Sequence, residues 1–322
     1  MTLRRCLVSV AAAVVLALAS VPSASPNSSA QANAVPVPPV RAILDAFRSH
    51  TLVALADSHG SEQLHAFRLS LIRDPEFPAA VNDIVVEFGN ARYQDLMDRF
   101  VRGGEVAYEM LRHVWQDTTQ VTAVWDRPIY EEFFRAVGTM NTLLPSERQV
   151  RVLLGDPLVD WSAGGQNAGR WTPERDQHAT DVIAREVVAK HRHALIVYGG
   201  GHLFRAGQSL VSRVERETGA QVFTIAVPGE TTFDLVKSLQ PNVTSWPVPS
   251  LVVLRGTRLQ QRELVYFDAL LYLGPPSAMT VSRLSAALCS DEQYVQMRMK
   301  RLAGLGQRAV DQFRAECGLV RR

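Results

Sequence analysis

Cysteine is scarce in this sequence, with three residues in 322. Cys6 precedes the first apolar run, which leaves room for one intrachain disulfide, between Cys289 and Cys317. An excess of one charge sign is missing too: 34 Lys and Arg stand against 32 Asp and Glu. No basic stripe marks a nucleic-acid surface. Apolar runs long enough to span a bilayer, about 20 residues, are absent; the longest, Leu7 to Leu18, falls short. A Gly-x-Ser-x-Gly elbow is absent as well, which argues against a serine nucleophile of the α/β-hydrolase kind. There is no His-x-x-x-His helix, so metal ligands would have to come from separate strands. Internal repeats are lacking, as is low-complexity sequence after Pro39.

What is present begins with an N-terminus built for export. Arg4 and Arg5 precede the apolar run, and small and polar residues follow to about Ala34. This order predicts a signal peptide over 1–34, cut between Ala24 and Ala34. A Pro-rich tether over 35–40 would follow. The mature chain is then expected in the periplasm or secreted, without an integral membrane segment. An oxidising compartment favours the Cys289–Cys317 disulfide.

The strongest signal lies further on. Four apolar, strand-like runs each end on a residue that can move a proton or bind a metal. The run 51–56 leads into Asp57, Ser58, His59 and Gly60; 83–86 leads into Glu87. The run 150–154 leads into Gly155 and Asp156, and 194–198 leads into three glycines and His202. Helical periodicity follows each end, over 61–73, 92–101 and 105–119, from Pro128 to about 140, from Thr172 and Pro173 to about 190, and over 204–218. Strands are expected at 149–154 and 221–227, with short ones at 250–255, 263–267 and 270–273. Residues from 280 onward read as helical throughout. The expected fold is α/β, a mainly parallel central sheet flanked by helices, with a C-terminal helical segment. The domain would run over 41–278 and the helical extension over 279–322.

Parallel sheets bind ligands outside the carboxyl ends of their strands, so these four ends define a candidate site. Asp57 and His59 are two residues apart and would point the same way if strand geometry persists. A carboxylate beside an imidazole can orient its second nitrogen. Gly60 allows a sharp turn. His65 could reach the same site from the next helix. Glu87, ending a strand buried on both faces, must be paired or functional; Arg92 is the nearby candidate partner. Glycines before His202 would let backbone approach a ligand. Gly200, Gly201, Asp156 and Arg92 are the substrate-binding candidates, and the loop 160–170 reads as lying on the site's side.

The segments 54–60, 85–88 and 197–202 resemble the signature segments of erythromycin esterase-like proteins. They are also similar to those of haem-binding, ChaN-like uptake lipoproteins and of the Tiki proteases in the same superfamily. Asn141, Leu144, Pro145, the stretch Arg151 to Asp156, and Arg175 with Asp176 resemble the esterase branch. One departure stands out: that branch has a glutamate where this chain has Ala56. The haem-uptake pattern has an acid two residues before the first histidine, which Asp57 matches.

The esterase resemblance implies a hydrolase in which His59 activates water. Asp57 or Glu87 would orient it, and His202 would stabilise charge or donate to the leaving group. The Tiki branch implies a divalent metal, for which His59, Glu87 and His202 are the ligand candidates. The ChaN branch implies haem, with Tyr93, His59 or His202 on the iron. A member that binds a small molecule without turnover is a third reading, motivated by Ala56. The cofactor stays open between a divalent metal, haem and none. The partner is a small-molecule substrate or haem.

Overall fold

The computed structural model describes residues 31–163 and 173–319. Residues 1–30 of the predicted signal peptide, Thr172 and most of the loop 160–170 lie outside the described residues, whereas Ala34, the last residue assigned to that peptide, is buried and exchanges hydrogen bonds with the Gln240 side chain at 2.8 and 2.7 Å. From Ala32 onward the chain forms one compact unit. Its seven strands are β1 (Leu52–Asp57), β2 (Asp83–Asn90), β3 (Arg151–Asp156), β4 (Ala194–Gly199), β5 (Val222–Ala226), β6 (Ser250–Val253) and β7 (Ala269–Tyr272). They run in the order β3-β2-β4-β1-β5-β7-β6. All neighbours are parallel except β6 and β7. Helices cover both faces, so the central strands are buried on both sides and read as unbroken apolar runs. The sheet is the expected α/β arrangement.

Side-chain alternation sorts β1 between two cores. Val53 and Leu55 enter the core beneath the helices Glu62–Ile72 and Pro128–Asn141. Leu52, Ala54 and Ala56 enter the opposite core, with Tyr198 and Leu203. Strand side chains alternate with a period of two. Asp57 therefore leaves β1 on the face opposite Ala56. Register pairs Asp57 with Gly199, which brings the end of β1 beside the glycine run after β4.

Several elements differ from the expectation. β3 begins at Arg151 because the Asn141 side chain takes both the N–H and the C=O of Val150, each at 2.8 Å. The strand then extends to Asp156. The expected strand at 263–267 is a 3₁₀ turn, Arg262–Tyr266. Arg262 sits at φ 51°, a left-handed conformation that no strand continues through. The helix expected from Phe204 starts only at Leu210, where the Ser209 side chain accepts from Ser212 N–H. The stretch 105–119 holds two single-turn helices, Tyr108–Leu111 and His113–Gln116. The segment read as a tether lies along the sheet edge: Val37 and Leu251 exchange backbone hydrogen bonds of 2.9 and 3.0 Å.

The C-terminal helices Ala286–Ser290, Glu292–Ala303 and Gln307–Glu316 form a third layer with its own apolar cluster. A disulfide joins Cys289 to Cys317 across this layer. Buried Arg298 ties it to the body, pairing with Asp126 at 2.6 Å and donating to Val121 O at 2.9 Å. Arg301 pairs with Asp117, also at 2.6 Å. Among the described residues, no helix is long and apolar enough to cross a membrane.

Candidate active site

The end of β1 places Asp57 and His59 against the first core. His59 Nδ1 lies 3.1 Å from Asp57 Oδ2. Arg68 Nη1 donates to Asp57 Oδ1 at 2.9 Å. The Tyr130 hydroxyl donates to Oδ2 at 3.3 Å and accepts the Gly60 N–H at 2.9 Å. Gly60 sits at φ 82°, the left-handed turn that leads into the Ser61-capped helix. Arg68 is itself held by aromatic faces, with Phe88, Tyr130 and Phe133 rings 5.8 to 5.9 Å from its guanidinium.

Burial opposes ionisation of Asp57, but Arg68 and His59 outweigh it and lower its pKa. Burial also disfavours a charged His59, yet the Asp57 bond and the pull of Asp57 and Glu87 raise its pKa above the ordinary histidine value. An ionised Asp57 can only accept, so His59 must carry its proton on Nδ1 in the neutral form. That leaves the lone pair on Nε2, for which no hydrogen-bond partner exists among the described residues. The His59 side chain is 35% exposed, and Trp125 meets its ring edge-on with centroids 4.5 Å apart.

The second cluster lies on the other face. Glu87 emerges where β2 loses register with β3, between Val86 and Asn90. Such irregularities re-aim side chains beside active sites. A Cβ at Gly89 would land on Leu154, so the irregularity needs glycine there. Glu87 Oε2 accepts the Gly199 N–H at 2.7 Å. Oε1 accepts from Arg175 Nη2 at 3.1 Å and faces His202 Nε2 at 3.3 Å. His202 Nδ1 is hydrogen-bonded to Asp176. Burial would neutralise His202, but Asp176 and Glu87 push its pKa up to about 9. Glu87 is likewise opposed by burial and drawn down to about 2 by His202, His59 and Arg175. With carboxylates on both nitrogens, His202 is held as an imidazolium at neutral pH.

The two clusters meet over Gly199. A Cβ there would come within 3.0 Å of His59 Cε1 and 3.3 Å of Glu87 Oε2. Gly199 is thus the glycine the packing demands. A Cβ at Gly200 would be in ordinary contact with Ala56, and one at Gly201 would meet open space. Both remain at the site, but nothing around them requires glycine. Asp156 is satisfied by the Thr119 N–H and hydroxyl, both at 2.6 Å, and lies 3.4 Å from Arg175. Burial raises its pKa to about 6 against the pull of Arg175 and Thr119. Arg175, not Arg92, holds Glu87. Arg92 pairs instead with Asp160 at 3.1 Å. His65 faces Glu132 at 3.0 Å on another side of its helix and belongs to neither cluster.

No family model matches the chain, and no curated protein matches it. Solved structures do resemble it. A Bacillus cereus protein superposes with a TM-score of 0.55 at 9% identity, covering 79% of this chain and 97% of its own. The type III effector HopBA1 gives 0.45 at 12% identity, over 76% of this chain and 98% of its own. ChaN of Campylobacter jejuni, whose structure shows cofacial haem binding, gives 0.42 at 12% identity, over 73% and 91%. At such identities, it is the Bacillus cereus likeness that speaks, and it speaks for the fold.

The donor set tests the cofactors implied by resemblance. Among the described residues, no group of three or more His, Cys, Asp or Glu side chains is arranged to hold a metal ion. The expected triad of His59, Glu87 and His202 fails for a physical reason. Both His202 nitrogens face carboxylates as donors, and both Glu87 oxygens are engaged. For haem iron, Tyr93 donates its hydroxyl to Asp117 at 3.0 Å, and burial and Asp117 push its pKa up to about 12. His202 is enclosed, so only His59 keeps a nitrogen open to a ligand.

Residues that sequence reasoning passed over complete the site. Arg68 had a readable signal: an arginine among Leu64, Phe67 and Leu71 on an apolar helix face must find a buried acid. Tyr130, beside Phe133 and Phe134, carried the same kind of signal more faintly. Asp176 was noticed only through resemblance. Trp125 had none, because no local pattern places a 3₁₀ turn against a histidine 66 residues away.

Proposed function

We propose that the protein is an exported hydrolase that cleaves an ester or lactone, with Asp57 and His59 as its working pair. His59 Nε2 takes a proton from water, and the water oxygen bonds to the carbonyl carbon. Asp57 holds the tautomer and balances the imidazolium that forms. As the tetrahedral intermediate collapses, the C–O bond breaks and His59 returns the proton to the leaving oxygen. The oxyanion falls to the N–H groups of Gly200 and Gly201.

Glu87, His202, Asp176 and Arg175 act as positioning residues in this reading. They fix Gly199, over which the His59 ring lies. The direct donor role expected for His202 gives way to this one, because its two nitrogens are occupied and it is buried. Glu87 supplies a carboxylate on the face that Ala56 leaves bare, whereas Asp57 points to the other. The carrying observation is an imidazole whose Nδ1 is held by a buried carboxylate, on a residue that lines a cavity at the strand ends.

The test is an ester and lactone hydrolysis panel on wild type, His59→Ala and His202→Ala, with haem titration followed at the Soret band. Wild-type turnover that His59→Ala abolishes supports the reading. An inert wild type that shifts the Soret band stoichiometrically would replace it with haem binding.

A further inference from the structure

The cavity that reaches His59 lies just outside the carboxyl ends of β1, β5 and β7 and measures about 220 Å³. Val227, Pro228, Leu273, Met279 and Val281 give it apolar walls. Its remaining charged group besides His59 is Glu230, in the first turn of the helix Glu230–Leu239, where the helix dipole favours a carboxylate. The wall is anchored on both sides. Glu62 N–H donates to Thr280 O at 3.1 Å, and Ser282 N–H to Gly60 O at 2.9 Å.

We propose that this cavity is a leaving-group pocket, which takes a compact, uncharged, apolar alcohol half of the substrate. The inference rests on the hydrolase reading and adds to it which half sits where. His59 both lines the cavity and must hand its proton to the leaving oxygen, so the leaving group belongs on this side. Hydrolysis turns the acyl half into an anion and the other half into a neutral alcohol. A carboxylate wall at Glu230 would repel the anion and tolerate the alcohol. The volume is below the roughly 300–1,000 Å³ of drug-sized sites, which fits a branched aliphatic or single-ring group. The apolar walls supply its binding energy by burial.

Two ester series separate the halves: acetates of methyl, isobutyl, benzyl and naphthylmethyl alcohols, and methyl esters of acids of matching size. Wild type should prefer benzyl over methyl acetate by at least tenfold in kcat/KM and fall off at naphthylmethyl. Val281→Trp, at an exposed wall position, should lower the benzyl-to-methyl ratio about tenfold. Met279→Ala should move the optimum toward naphthylmethyl. Glu230→Gln should narrow discrimination against an alcohol that carries a carboxylate. The inference is overturned if Val281→Trp changes the acyl series and leaves the alcohol ratio untouched.

Binding gives a readout independent of turnover. Benzyl alcohol should shift the His59 imidazole NMR signals in wild type and not in Val281→Trp. A wild-type protein without esterase activity that still shows this shift would retain the pocket and lose the hydrolase reading. If benzyl alcohol leaves the His59 signals unmoved, the pocket assignment is wrong whatever the activity.

Discussion

Two carboxylate–histidine pairs stand at the same edge of one sheet, about one strand apart, and their surroundings give them opposite characters. His59 is bound on one nitrogen, by Asp57, and lines a cavity. His202 is bound on both, between Glu87 and Asp176, and is almost fully buried. The first has one nitrogen without a protein partner among the described residues. The second is a fixed charge that organises its neighbours. A histidine at a strand end is therefore no guide to its role until the occupancy of its second nitrogen is known.

The largest effect should come from His59→Ala. Loss of a general base costs roughly 10²- to 10⁴-fold in rate, and kcat should fall by that much with the thermal midpoint nearly unchanged. An activity loss of less than tenfold would erase the distinction between the two pairs. His202→Leu should act the other way round. It leaves buried Asp176 without its imidazolium and Glu87 with Arg175 alone, a broken buried pair that costs about 3–5 kcal/mol, visible as a lower denaturant midpoint.

His202 also predicts a pH dependence of stability. Its folded pKa of about 9 lies above the ordinary histidine value of 6.5. The stabilisation is thus complete below about 6.5 and lost as pH rises toward 9. Denaturant unfolding at pH 6 and pH 9 should show a steeper loss in wild type than in His202→Gln. Glu87 works with the opposite sign. Its stabilisation holds above the ordinary glutamate value of 4.5 and is lost as pH falls toward about 2.

A smaller effect concerns the shape of the activity profile. A general base works deprotonated, so the acidic limb of kcat/KM should lie above the ordinary histidine value of about 6.5. Asp57→Asn removes the charge that raises His59 and should move that limb down. A limb that stays in place would assign the titration to another group. The smallest effect is expected at Trp125→Leu. Losing the edge-on ring contact costs about 0.5–1.5 kcal/mol, a rate loss of roughly two- to tenfold, accompanied by a lower thermal midpoint because Trp125 is fully buried and leucine leaves a cavity. Arg298→Met should reproduce part of it, because Arg298 holds Asp126 beside Trp125.

Much of this was legible in the chain. The apolar runs ending on Asp57, Glu87, Asp156 and His202 marked a parallel sheet with polar residues gathered at one edge, since strands buried on both faces leave few other patterns. The strand expected at 263–267 gives way to a 3₁₀ turn because Arg262 adopts a left-handed conformation that the apolar pattern does not reveal. Arg92 is the arginine near Glu87 in sequence, yet it pairs with Asp160. Arg175 prevails because the helix after β3 crosses over the sheet and delivers it from 88 positions away.

By itself the sequence determined the sheet, its polar edge and the residue types placed there, because periodicity and strand-end position are local properties. Tertiary structure alone decided which histidine is open. That depends on how many carboxylates reach each ring, and those acids arrive from different elements: Asp57 from the same strand end, Glu87 from β2, Asp176 from a helix. It also decided that Asp57 and Ala56 face opposite cores, so that Glu87, and not Asp57, lies on the Ala56 side.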